Sequence, residues 1–385
     1  RQGATVLLVE EGPWVGGMLT AAGVSAIDGN HRIAGGLWRE FRDSLYAHYG
    51  GPEAVATGWV SNTLFEPAIG QRILRNMLRQ EPRITLRLHF RTARFRRNPG
   101  YWSLVLVRPD VYEESLCQAR VLIDATELGD IAHRHGVPRD VGMDARSVTS
   151  ESFAPERAND IIQDLTYVLT LQDYGEQADK TIPRPPGYDP EIFRCACDVA
   201  DPSGQPTELL DCAKLLTYGR LPNHKYMINW PNCGNDHYLN LLGKNPEERR
   251  QGLDSAKVRS LRFLYFLQHE LGYRNLGLAA DEYPTTDGLP LIPYHRESGR
   301  IHGLVRFTVD DLLRPYDRPD PLYRTSIAVG DYPIDHHHKE RPDAPDIDFI
   351  RIKAPAYGLP LGTLLPRGFP GLIVAEKSIS VSNIV

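Results

Sequence analysis

The segment Val6-Leu-Leu-Val-Glu10-Glu-Gly-Pro-Trp-Val-Gly16-Gly-Met-Leu-Thr20 decides the fold. Four apolar residues followed by a carboxylate are typical of a buried strand that ends at the edge of a parallel sheet. A glutamate at that position can accept both hydrogen bonds of an adenosine ribose 2′,3′-diol. The loop that follows lacks side chains at Gly16 and Gly17, so its backbone can approach a flat ligand closely. The segment predicts the dinucleotide-binding edge of a doubly wound α/β sheet.

The phosphate-binding glycines of this fold precede the acidic residue by about 20 positions, which here falls before residue 1. No Gly-x-Gly-x-x-Gly pattern occurs in the 385 residues. We therefore expect a sheet whose first strand and glycine-rich turn are absent, so that Val6 to Val9 lacks its parallel neighbour.

The composition is that of a globular protein with 41% hydrophobic and 24% charged residues. A net charge of −5 argues against general affinity for nucleic acid or an anionic membrane. No apolar run is long enough to cross a bilayer. The five cysteines are an odd number and lack the Cys-x-x-Cys pairing of common zinc sites. We expect ordinary thiols, no metal and a reducing, cytoplasmic compartment, with a secretion signal before residue 1 left open.

The pattern of apolar residues predicts secondary structure along the chain. Helices are expected over residues 35–49, 67–79 and 245–271, a buried strand over 119–126, and further strands over 326–329 and 372–375. Strands at 84–90 and 101–107 are expected to form a hairpin around Asn98-Pro-Gly100. At 385 residues the chain is longer than a single hydrophobic core usually supports, so more than one domain is expected. We expect a nucleotide-binding domain over residues 1–141, an inserted mixed α+β substrate domain over 142–286, and a return to the first domain over 287–385.

Two polar clusters are candidates for chemistry. Arg296 and Arg300, in Arg-Glu-x-x-Arg, offer planar donor forks that can hold a substrate carboxylate or stabilise an anionic reduced flavin, although such runs also form structural ion pairs. Asp335-His-His-His338 contains a candidate base, because histidine titrates near neutral pH. One extended strand cannot direct all four of these side chains at one metal ion. The amide-rich stretch 229–236 fits an Asx-turn loop, with contact to a polar substrate as the alternative.

The stretches 6–20, 123–130, 286–290, 296–300, 330–335 and 365–368, taken in order, resemble the FAD-dependent oxidoreductase family sometimes labelled xanthan-lyase-like. The resemblance implies a glutathione-reductase-type FAD fold. It places Glu10 on the adenosine ribose, the loop Gly16-Gly17-Met18-Leu19-Thr20 near the pyrophosphate and flavin, and Ala125 with Thr126 beside the cofactor. Arg296 to Arg300 would lie on the substrate side of the flavin.

The sequence departs from the family pattern at two places. Gly299 removes one arginine from the cluster, and Glu376-Lys377 stands where the family has Gly-Arg. Because the family continues beyond both ends of this sequence, we also expect the 385 residues to bind FAD weakly or not at all.

We predict an incomplete, Rossmann-like FAD oxidoreductase that transfers a hydride from a small polar or anionic substrate to flavin N5. Arg296 and Arg300 would anchor the anionic group, and His336 would be the base. The alternatives are a non-catalytic carbohydrate-binding protein or inactive fragment, and a polysaccharide lyase. Substrate, electron acceptor and oligomeric state are not predicted.

Overall fold

The computed structural model describes residues 3–198, 209–341, 343–345 and 354–385. Helices alternate with both parallel and antiparallel strands, as the α/β prediction requires. Contacts divide the chain into two compact units. The first unit comprises Arg1–Leu88 and Asp164–Tyr294, and the second unit comprises His89–Gln163 and His295–Val385.

The strands, in chain order, are β1 (Val6–Glu10), β2 (Ile84–Leu88), β3 (Arg91–Asn98), β4 (Tyr101–Arg108), β5 (Glu113–Ala119), β6 (Leu122–Asp124), β7 (Arg139–Asp140), β8 (Leu165–Thr166), β9 (Leu169–Asp173), β10 (Lys225–Ile228), β11 (Asp236–His237), β12 (Leu276–Leu278), β13 (Arg300–Ile301), β14 (Ser326–Gly330), β15 (Tyr357–Pro360) and β16 (Leu372–Val374). The α-helices are α1 (Gly36–Tyr49), α2 (Pro67–Arg79), α3 (Asp130–Arg134), α4 (Arg146–Thr149), α5 (Cys212–Tyr218), α6 (Pro246–His269) and α7 (Val309–Leu313).

In the first unit, β1 and β2 form a parallel pair in the register Val6↔Ile84 to Glu10↔Leu88. The prediction of a strand ending at Glu10 is confirmed, and the expectation that this strand lacks a parallel neighbour is wrong. Helices α1 and α2 pack together around a core of Phe41, Leu45, Phe65 and Ile73. Both helices begin and end within a residue of their predicted bounds.

A second core of the first unit joins the antiparallel sheet β10-β9-β12 to α6. Asn245 caps α6 in a capping box with Glu248, and Pro246 occupies the first turn, where no amide donor is needed. Phe263, Leu264 and Leu267 on its buried face have no measurable exposure. The predicted long helix is confirmed, ending two residues earlier than expected.

Four of the five cysteines form disulfides, Cys195–Cys233 and Cys197–Cys212, so the expectation of ordinary thiols is wrong for them. Their Cα atoms are 5.5 and 5.0 Å apart, although the partners are 38 and 15 positions apart in sequence. Chain folding brings them together, which sequence spacing alone does not reveal. Cys117 takes part in neither bond.

The predicted hairpin has the right turn and one wrong strand. Residues 84–88 pair with β1 in the first unit, and β4 instead pairs with β3 and β5 in an antiparallel sheet of the second unit. His89 has a φ of 65°, so the chain leaves its extended path between β2 and β3. The predicted strand over 84–90 therefore ends at residue 88, and residues 91–98 form a separate strand that pairs with β4.

The second unit also holds the parallel pair β6–β16 and the antiparallel pairs β7–β13 and β14–β15. The pair β6–β16 joins residues that are about 250 positions apart in the sequence. The two units divide the chain at other positions than the three predicted domains, whose boundaries and roles stay predictions.

No α-helix among the described residues is both long and apolar enough to span a bilayer.

Candidate functional site

The predicted cofactor loop in the first unit is a tight turn that requires glycine. Gly16 and Gly17 have φ values of 111° and 47°, which L side chains rarely adopt. A Cβ on Gly16 would lie 2.6 Å from both Thr20 Oγ1 and Leu74 Cδ1. Thr20 Oγ1 donates to the Val15 carbonyl at 2.7 Å. The turn therefore exposes backbone rather than side chains at positions 16 and 17.

Glu10 is the last residue of β1 and is partly buried. Its Oε1 accepts a hydrogen bond from the Gly12 amide at 2.8 Å, which holds the carboxylate at the strand end. A carboxylate has about four acceptor sites, so this bond is compatible with binding a ribose diol.

Met18 and Leu19, also predicted to contact the cofactor, pack their side chains into hydrophobic cores. Met18 lies against the core around α6, and Leu19 lies against the core between α1 and α2. Their side chains anchor the loop, so any contact they make with a cofactor would come from the backbone.

Ala125 and Thr126 follow the parallel strand β6 in the second unit. The buried Asp124 carboxylate accepts from the Thr126 amide at 3.0 Å, the Thr126 hydroxyl at 2.7 Å and the Ala132 amide at 2.7 Å. This network fixes the turn and leaves Ala125 exposed. The carboxyl end of a parallel strand is where open α/β sheets bind ligands.

The neighbouring strand β16 ends at the departure from the family pattern, Glu376-Lys377. Glu376 has a φ of 58°, a conformation that costs a non-glycine residue about 1 kcal/mol. The backbone therefore keeps the shape that suits the glycine of the resembling family. Lys377 Nζ lies 2.7 Å from Glu127 Oε2 and joins this turn to the one after β6.

Arg300 lies on β13 in the second unit and is 2% exposed. Its guanidinium donates to Glu297, to the Gly142 carbonyl at 2.6 Å and to Asp144 Oδ2 at 3.2 Å. Burial raises the pKa of Glu297, and the charge of Arg300 opposes that rise. These contacts favour a structural role, and the catalytic role of Arg300 stays a prediction.

Arg296 has a different environment, although it is only four positions away. It is partly exposed, and its charge helps the hydrogen bond from His337 to lower the pKa of Asp335. The arginine missing at Gly299 is replaced in space by another one. A Cβ at Gly299 would lie 2.6 Å from Cδ of Arg139, whose side chain crosses that backbone.

The histidine segment packs against the C-terminal residues of the second unit. His336 Nε2 lies 3.0 Å from the Ile384 carbonyl, and its Nδ1 lies 3.2 Å from His338 Nε2. His337 Nε2 lies 3.4 Å from Asp335 Oδ2. Burial lowers the pKa of His336 and of His338 to about 4, so both rings are neutral at pH 7.

Two segments join the arginine cluster to the histidines. The Asn383 side chain donates to Glu297 at 3.2 Å, one residue before the carbonyl that faces His336. The Gln163 amide donates to Glu297 Oε2 at 3.0 Å, and its side-chain oxygen accepts from the His337 amide at 3.1 Å. Arg300 and His336 thus belong to one hydrogen-bonded region of the second unit, and Arg296 directly precedes Glu297 of that region.

Two buried groups of charged residues were not predicted from the sequence. Glu151 has no measurable exposure and accepts from the Val309 amide at 2.7 Å and the Ser382 hydroxyl at 2.6 Å, and burial raises its pKa. In the first unit, Lys225 Nζ lies 2.9 Å from Glu66 and 2.7 Å from Glu282. None of these residues lies in a sequence motif that distinguishes it from ordinary surface charge.

The amide-rich stretch 229–236 bonds largely to its own unit. Asn235 accepts from the Trp230 amide at 2.8 Å and donates to the Tyr167 and Ile228 carbonyls at 3.0 Å. These bonds support the interpretation as a structural loop. No cluster of three or more His, Cys, Asp or Glu suited to a metal ion occurs among the described residues.

The residues of the first unit fit an adenine dinucleotide such as FAD. Glu10 places a carboxylate at a parallel strand end, and the turn at the exposed Gly16 and the partly exposed Gly17 presents backbone without side chains. This donor and acceptor set suits a ribose and a pyrophosphate.

Comparison with known proteins identifies the family. The sequence model of the family described as FAD dependent oxidoreductase matches residues 1–385. A comparison with curated protein sequences finds no match. Among solved structures, p-nitrophenol 4-monooxygenase PnpA from Pseudomonas putida DLL-E4 is similar over 66% of this chain and 49% of its own, with 12% identity and a TM-score of 0.26. This chain thus spans about half of that protein, and the family assignment rests on the sequence match.

Proposed function

Because the chain belongs to the FAD-dependent oxidoreductase family, we propose that it oxidises a small polar or anionic substrate by hydride transfer to its cofactor, FAD. When bound, FAD supplies the hydride acceptor, flavin N5. The protein's own tasks are to bind and orient the substrate and to take up the proton that leaves it.

The observation that carries the proposal is that Gln163 in the second unit bonds both to Glu297, which directly follows Arg296, and to His337 of the histidine segment. Arg296 is partly exposed, and an arginine fork binds a carboxylate or phosphate through two parallel bonds. A neutral histidine of the segment 336–338 can accept a proton from a substrate hydroxyl. An alcohol that carries an anionic group matches both partners.

Arg300 has a supporting task in this proposal. With Glu297 and Asp144 it fixes β13 and the segment that leads from Arg296, because all three side chains are buried and bonded to one another. In the first unit, the cofactor would be held by Glu10 on its ribose and by the backbone of residues 16–20. The role of Ala125 and Thr126 beside the cofactor stays a prediction.

The test compares Arg296→Ala with Arg314→Ala, an exposed arginine on the surface of the same unit. Turnover is measured with small 2-hydroxy carboxylates or uncharged polyols as substrates and an artificial electron acceptor. The flavin absorbance of each variant quantifies its bound cofactor. Loss of a charged hydrogen bond of 1.5–3 kcal/mol predicts a decrease in kcat/KM of about 10- to 100-fold for the carboxylates only. Bound flavin should be unchanged, and Arg314→Ala should match the wild type.

Unchanged kinetics of Arg296→Ala would eliminate the anchoring role. A bound flavin that no donor bleaches would favour the non-catalytic binding protein instead.

A further inference from the structure

Two histidines of the second unit form a directional pair. His338 Nε2 lies 3.2 Å from His336 Nδ1, and His336 Nε2 lies 3.0 Å from the Ile384 carbonyl. His338 Nδ1 is buried and has no hydrogen-bond partner in the described part of the chain.

The carbonyl of Ile384 sets the direction of the pair. A carbonyl only accepts hydrogen bonds, so His336 must carry its proton on Nε2. In a neutral ring the other nitrogen is then an acceptor, so His336 Nδ1 accepts from Nε2–H of His338. The Ile384 carbonyl therefore assigns the proton of His338, like that of His336, to Nε2.

This assignment leaves the lone pair of His338 Nδ1 as the one acceptor of the pair without a donor. A buried acceptor without a donor costs about 1–3 kcal/mol, and native proteins keep few of them outside functional sites. The lone pair of His336 Nδ1, by contrast, is already engaged by His338.

We propose that Nδ1 of His338, and not His336, accepts the proton that leaves the substrate hydroxyl. The inference rests on the proposed function. The substrate O–H bond breaks, its proton bonds to Nδ1, and the electron pair of that bond completes the C=O bond as a hydride leaves the carbon for the acceptor that FAD supplies. His336 is a positioning residue, because its Nδ1 accepts the hydrogen bond from His338 Nε2 while its own Nε2 is held by the Ile384 carbonyl.

The surrounding charges bear on the proton affinity of the pair. His337 disfavours a proton on either ring, Asp335 favours a proton on His336, and Arg296 acts on Asp335. Burial dominates and lowers the pKa of His338 from 6.5 to about 4. The rate should therefore fall on the acid side of neutrality as Nδ1 becomes protonated.

The first experiment is long-range 1H–15N NMR on histidine-labelled protein, with the His338 signals assigned from His338→Gln. At pH 7 both rings should carry the proton on Nε2, and on acidification the first new proton should appear on His338 Nδ1. A His338 ring protonated on Nδ1 at pH 7, or first uptake by His336 Nδ1, would overturn the inference. This result does not depend on turnover, so it is distinguishable from failure of the proposed function.

The second experiment measures the pH dependence of kcat for His338→Gln and His336→Gln, with His48→Gln on the exposed face of α1 as control. Loss of a general base predicts that kcat of His338→Gln decreases about 100-fold or more. The fall of kcat at acid pH, the acid limb of the profile, should also disappear in this variant. His336→Gln should retain the acid limb with a shifted midpoint and a smaller decrease. An acid limb that persists in His338→Gln and disappears in His336→Gln would reverse the assignment.

Discussion

Replacing Arg300 by Met should destabilise the protein far more than replacing Arg296 by Met, although the two arginines belong to the same sequence cluster. Arg300 is bonded to the carboxylates of Glu297 and Asp144, and the three side chains are 3%, 6% and 7% exposed. Removing the cation leaves two buried carboxylates without their partner, which costs about 3–5 kcal/mol. Arg296→Met, at a partly exposed site, should cost no more than about 1 kcal/mol.

The assay is equilibrium unfolding in urea at pH 7.5, with the slope checked for constancy between variants. Arg300→Lys covers the case in which Arg300→Met does not fold. Lysine keeps the positive charge but lacks the planar donor fork of arginine, so we expect a loss of unfolding free energy between those of the other two cases. If Arg300→Met and Arg296→Met were equally stable, the structural interpretation of Arg300 would be refuted.

Three further predictions concern stability and redox state. Lys225→Met should lose about 3–5 kcal/mol of unfolding free energy, because it leaves two buried glutamates without their cation. Lys257→Met, at a more exposed ion pair, should lose at most about 1 kcal/mol, and equal losses in urea unfolding would contradict the stabilising role of Lys225. Stability should fall as pH drops from 6.5 toward 4, because the unfolded chain binds protons that the buried rings of His336 and His338 do not bind; a shift from 6.5 to about 4 corresponds to about 3 kcal/mol for one ring. His336→Gln removes one of the two contributions, so its stability should fall less steeply with pH than that of the wild type, and identical slopes would argue against the prediction. Thiol titration of denatured, unreduced protein should find Cys117 alone, and five thiols after reduction; more than one thiol before reduction would exclude one of the disulfides.

Secondary structure was predictable where a local signal was strong. Helix α6 has an Asn245 cap, a proline in its first turn and a long apolar face, and the sequence shows all three. Strand β1 was equally clear from its apolar run and terminal acid. The hairpin error arose because the break at His89 depends on a backbone conformation that residue type does not specify.

The candidate site was predictable in its residue types and not in its roles. Arg296 and Arg300 are the same residue type in one cluster, so the sequence cannot distinguish their roles. The structure shows that Arg296 is partly exposed and that Arg300 is buried and bonded to carboxylates. The same limit applies to His336 and His338, whose proton positions depend on the Ile384 carbonyl far along the chain. The disulfides and the Lys225 network likewise depend on long-range contacts.

The most direct test of the account is the affinity for FAD of the protein and of its variants Glu10→Ala and Glu11→Ala, measured by flavin fluorescence titration up to millimolar FAD. If Glu10 binds the ribose diol, its loss removes charged hydrogen bonds of about 1.5–3 kcal/mol each, and Kd should rise at least about 10-fold. Glu11→Ala, which changes the adjacent carboxylate outside the strand, should bind as the wild type does. Equal affinities of the two variants, both as high as that of the wild type, would contradict the account.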